Sequence, residues 1–151
     1  MNLRNLIFTT ACGLAFSAGL RADGVCKSFM ASGTYLMTST GWVSVNPPNP
    51  LPVAPTMALG VINIDENGVI SSAAGSVTAV TAGMTQPPDA ITGKLIVNPD
   101  CTATFKATCT NGCSWEGAGL FLKNSKEAHL VFTKTNGYPV TAFLDLKQIS
   151  N

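Results

Sequence analysis

The chain has 151 residues, of which 46% are hydrophobic and only 11% charged, with a formal net charge of +1. That balance excludes a disordered tail, which needs high charge and few apolar residues. It also leaves no electrostatic footprint for nucleic acid or an anionic membrane surface, and the length suits one domain.

Residues 1–22 read as an export signal. Arg4 supplies the positive start, Leu6 to Leu20 carries no charge, and Ser17-Ala18-Gly19 offers cleavage after Gly19, with Ala22 as the alternative. About fifteen apolar residues fall short of the ~20 that span a bilayer. Arg21 and Asp23 follow at once, so no membrane span is expected in the mature chain. A lipid anchor at Cys12 is disfavoured, because the apolar run before it is short and Thr9 stands where a large aliphatic belongs. Residues 23–151 then form a single β domain, secreted or periplasmic.

Export leaves four cysteines, Cys26, Cys101, Cys109 and Cys113. An even count in an exported chain points to two disulfides, with three possible connectivities. Cys109-Thr110-Asn111-Gly112-Cys113 reads as a tight hairpin whose flanking side chains come within disulfide reach. That leaves Cys26 for Cys101. A zinc site is the competing reading, but only Cys109 and Cys113 have ligand spacing.

The mature chain shows short runs of Val, Ile, Thr and aromatics rather than helical periodicity. Eight strands are predicted: Gly33–Val45, Met57–Ile64, Val69–Thr81, Ala90–Val97, Thr102–Cys109, Cys113–Leu122, Ala128–Lys134 and Tyr138–Gln148. Turns are expected at Asp65-Glu66-Asn67-Gly68, Asn98-Pro99-Asp100, Thr110-Asn111-Gly112 and Thr135-Asn136-Gly137. Seven of the nine prolines fall in Asn46–Pro55 and Gln86–Asp89, which are therefore predicted loops. Short connections make an antiparallel up-and-down meander that closes into a small all-β barrel, with a two-sheet β-sandwich as the alternative. In the last strand Val140, Ala142, Leu144 and Leu146 share one face, opposite Thr141, Phe143, Asp145 and Lys147. In the third, Ala73, Gly75, Val77 and Ala79 are small on one side, which suits either a tight core or a cavity.

Three stretches carry a resemblance: Cys26 to Ser32 followed by Gly33-Thr34-Tyr35, Gly60 through the Asp65–Gly68 turn to Ser71, and Gly93 to Asp100-Cys101-Thr102. Together they resemble a loosely defined group of uncharacterised exported bacterial β proteins. Ala103 stands where that group usually has glycine, and the proline-rich insertion after Val45 is unusual for it. The resemblance implies a barrel and a Cys26–Cys101 bridge, and no activity.

Candidate chemistry is sparse. Asn63 to Gly68 mimics the start of a calcium loop, but its twelfth position, Ala74, lacks the carboxylate, so a hairpin turn explains the same residues. His129, the one histidine, is expected at the surface or rim, and the acids show no catalytic pairing. Gly117-Ala118-Gly119 has no strand-to-helix step after it, which argues against phosphate binding. No metal, cofactor or catalytic residue is assigned. Tyr35, Trp42, Phe105, Trp115 and Phe121 are the candidate ligand-binding residues of a barrel interior or mouth, with plain core filling as the alternative. The favoured function is a non-enzymatic barrel for a small hydrophobic ligand. The alternatives are an envelope or extracellular interaction module using the Asn46–Pro55 loop on a protein or glycan, and a barrel enzyme of isomerase or cyclase type on a lipid-like substrate.

Overall fold

The computed structural model describes residues 25–44, 52–124, 126–135 and 141–151. The expected export signal lies outside them. Ten strands follow one 3₁₀ turn, Ser28–Ala31: β1 (Gly33–Ser44), β2 (Val53–Ile64), β3 (Val69–Ser71), β4 (Val77–Thr81), β5 (Met84–Thr85), β6 (Ile91–Val97), β7 (Thr102–Cys109), β8 (Ser114–Leu122), β9 (Glu127–Thr135) and β10 (Thr141–Ser150). All pairings are antiparallel, and the sheet runs β1-β10-β9-β8-β7-β6-β3-β2 before β2 returns to β1. The β1–β2 ladder, from Gly33↔Ile64 to Ser44↔Val53, closes the sheet. This is an eight-stranded barrel with two extra short strands, β4 and β5, and not a sandwich.

The expected third strand is broken. Between β3 and β4 the chain turns, with Ser76 N–H donating to the Ala73 carbonyl and Gly75 at φ +74°. Ala73 and Gly75, expected on a strand face, therefore sit in the turn, and only Val77 and Ala79 reach the ladder beside β2. Four small residues in a row, Ser72 to Gly75, offer little side-chain surface to hold a continuous strand.

Pro55 is a second correction, since it lies inside β2 opposite Trp42 and not in a loop. Its carbonyl accepts the Ala82 N–H, and the N and C=O of one strand residue point the same way. The missing N–H therefore faces the β4–β5 turn and leaves no gap in the ladder with β1.

Alternation places the core as expected. On β10, Ala142, Leu144 and Leu146 are buried, while Thr141, Phe143, Asp145 and Lys147 are exposed. On β9, Leu130 is buried and Phe132 half-buried, with His129, Val131 and Thr133 outside. The Asp65–Gly68 segment is a hairpin turn, in which the Asp65 carboxylate accepts the N–H groups of Asn67 and Val69 at 2.8 and 2.7 Å. Gly68 there has φ +79°, and a Cβ on it would collide with the Leu95 carbonyl of β6. Gly68→Ala is expected to cost about 3 kcal/mol, combining left-handed strain with overpacking, read as a lower urea midpoint at unchanged slope.

Large side chains fill one end of the barrel. Tyr35, Phe121, Leu95, Leu130 and Leu146 are almost wholly buried, and the 3₁₀ turn closes this end beneath buried Cys26 and Ala31. The Ser28 hydroxyl accepts from Val97 N–H, Lys126 donates to the Met30 carbonyl at 2.7 Å, and Gln148 donates to the Ser32 carbonyl at 3.1 Å. Cys26 bridges to Cys101, and its N–H donates to the Pro99 carbonyl. Cys101 itself holds a left-handed φ of +66°.

The Tyr35 hydroxyl is buried and finds no hydrogen-bond partner among the described residues. Burial pushes its pKa from 10.0 up to about 12. Between those values the unfolded chain releases this proton and the folded chain keeps it, so stability falls as pH rises. The expected slope is about 1.4 kcal/mol per pH unit from this group. Tyr35→Phe should flatten that alkaline limb and gain about 1 kcal/mol at neutral pH by deleting an unsatisfied buried group. Denaturation midpoints from pH 8 to 12 measure both effects, and a steep limb retained in the variant would contradict them.

Candidate functional site

Small inward residues leave space at the other end. Ser39 on β1, Ala58 on β2 and Ala79 on β4 face one another in register. On the facing wall Ala107 and Gly93 oppose each other in β7 and β6. The result is a cavity of about 500 Å³, within the usual range for small-molecule sites. Ile62, Ile70, Leu144, Leu146, Leu130 and Met37 line its floor, and Phe105, Phe132 and Trp115 form an aromatic wall. Phe105 and Phe132 meet edge to face with centroids 5.3 Å apart, and Trp115 lies 6.5 Å from Phe132. Around the opening stand Ser44, Thr56, Thr81, Gln86, Asn111 and Thr135.

Asp89 is the one ionisable side chain of this lining among the described residues. Its Oδ1 accepts the N–H groups of Ala90 and Thr110 at 2.7 and 3.1 Å, and its Oδ2 accepts that of Asn111 at 3.3 Å. Desolvation pushes this carboxyl up, but hydrogen bonds from the Thr110 side chain and from the backbone of Ala90, Asn111 and Thr110 outweigh it, and the pKa falls below the ordinary value. Asp89 is therefore ionised at neutral pH. It lies beside Cys109 and Cys113, the three ligand-type atoms falling within 4.8 Å of one another. The two sulfurs are joined in the second disulfide, so neither offers a thiolate to a metal.

Of the five aromatics named from sequence, Phe105 and Trp115 line the cavity. Tyr35 and Phe121 are buried in the packed core at the closed end. Trp42 lies on the outer face, 53% exposed. Phe132 and Asp89 were not singled out from sequence. Phe132 carried a signal, because it shares an inward face with Leu130. Asp89 carried none, since its position at the rim depends on how the Pro87-Pro88 segment crosses from β5 to β6.

The outer surface divides in two. Charges cluster on β7 to β10, where Lys106 pairs with Glu116 at 3.1 Å and His129 with Asp145 at 2.7 Å. His129 thus sits outside the barrel, away from the cavity lining. One mostly apolar row crosses the outside of β9, β10, β1, β2 and β4: Val131, Phe143, Thr40, Met57 and Val80 run in register across five strands, flanked by exposed Trp42 and Leu59. Residues 46–51 of the proline-rich segment lie outside the described residues.

Fold and site together define a small disulfide-bonded antiparallel barrel, closed at one end and hollow at the other. No protein-family model and no curated protein matches this chain.

Proposed function

We propose that this chain is an exported, non-enzymatic barrel that holds a small apolar molecule in its hollow end. The observation that carries the reading is the 500 Å³ cavity, whose floor and walls are aliphatic and aromatic. Each methylene buried there contributes about 0.8 kcal/mol, enough for affinities on the order of micromolar in a medium-chain ligand. The sequence of residues 1–22 and the two disulfides support export to an oxidising compartment. A barrel enzyme finds less support. Among the described residues Asp89 has no second titratable partner in the lining, and its carboxylate is engaged by the 109–113 turn.

Native mass spectrometry of protein exported to an oxidising periplasm is the first test, paired with titration of the neutral fluorophore N-phenyl-1-naphthylamine. Retained apolar mass, or saturable fluorophore uptake at one site, is the expected result. A bare mass together with no uptake would overturn the reading.

The apolar outer row favours a second reading, an interaction module that docks a protein through β1, β2 and β10. Exposed Met57, Leu59, Trp42 and Phe143 side by side exceed the scattered apolar residues of an ordinary surface. This reading predicts concentration-dependent sedimentation or partner capture that Met57→Lys and Phe143→Lys abolish while fluorophore uptake persists.

A further inference from the structure

We infer that the cavity selects single-chain amphiphiles with a cationic end group, the chain lying in the barrel and the charge at the rim beside Asp89. This rests on the cavity being a ligand site. The shape supplies the first half of the argument. Lining residues on β1 run from Met37 to Ser44, which at about 3.3 Å per residue and a typical barrel tilt gives a depth of roughly 18 Å. A cavity of about 500 Å³ over that depth is narrow. An extended dodecyl chain fits along that depth.

The rim supplies the second half. Of the described residues that line the cavity, none is Lys, Arg or His, and Asp89 is the one formal charge. Among the described lining residues a carboxylate or phosphate end group therefore meets no cation and one fixed anion. A cationic end group meets that anion, and the Trp115 indole on the same lining adds a π face. The Thr56, Thr81, Asn111 and Thr135 side chains give the end group polar company without altering the sign.

The test is displacement of N-phenyl-1-naphthylamine by three probes of equal chain length below their micellar concentrations: dodecyltrimethylammonium, dodecanol and dodecanoate. The expected order is ammonium, then alcohol, then carboxylate, with roughly tenfold between the extremes. Asp89→Asn keeps an acceptor oxygen for the turn and should collapse the spread, with circular dichroism confirming the fold. In the unmodified protein the ammonium advantage should shrink as salt is added, a readout independent of the variant. Equal displacement by all three, or preference for dodecanoate, would overturn the charge selectivity and leave the cavity reading standing. No fluorophore uptake and no displacement would overturn both.

Discussion

Replacing Cys26 and Cys101 together by alanine is expected to lower stability by about 4 kcal/mol, a melting-temperature drop of roughly 15 °C. The bridge joins residues 75 positions apart, so its removal frees a long loop in the unfolded chain. It also ties the plug of the closed end, where Cys26 is 1% exposed, to the start of β7. The Cys109–Cys113 bridge closes a separation of only four residues, and the same loop-entropy argument gives about 2 kcal/mol for its loss. Calorimetry on the two double variants under non-reducing conditions checks the order. Equal losses would mean that the plug is held by its hydrogen bonds to β6, the β8–β9 turn and β10 and gains little from the covalent tie.

Ala58→Phe should abolish uptake of apolar probes, by at least about 100-fold, without lowering the melting temperature. Ala58 faces Ser39 and Ala79 at mid-depth, so the ring projects into the hollow rather than into packed neighbours. Overpacking a filled core costs about 1–3 kcal/mol. Filling open apolar space instead buries the ring and shields the wall. Fluorophore titration and thermal melting on one sample separate the outcomes. A large fall in melting temperature would show that the space at mid-depth is not available to a ligand. Unchanged uptake would place the probe on the outer apolar face instead.

Much of the barrel was legible because period-two alternation and Asn-Gly or Asp-x-x-Gly turns are local signals. The buried face of β10 and the Asp65–Gly68 turn follow from a few residues each, and the hairpin spacing of Cys109 and Cys113 favoured their pairing among the three connectivities. What escaped depended on neighbours. Pro55 sits within a strand because the side lacking an N–H faces a turn, which nothing in its own sequence reveals. The break after Ser71 is equally opaque, since a run of small residues suits a narrow strand as well as a turn. The cavity was visible only as an ambiguity. Small inward residues at Ala79 mean a hollow only once the strands opposite also present Ser39, Ala58 and Ala107. The five aromatics separate for the same reason: residue type says that a ring wants burial, while register decides whether it meets the packed end, the hollow end or the outside.

The ends of the described chain have a practical consequence. Val25 precedes the plug, and Gln148 near the close of β10 donates to the Ser32 carbonyl beside it. Both ends therefore emerge on the side away from the opening. A biotin tag or a display scaffold joined after Asn151 would point the rim outward, so the protein can be immobilised on a sensor chip or cell surface with its binding mouth facing the bulk solution.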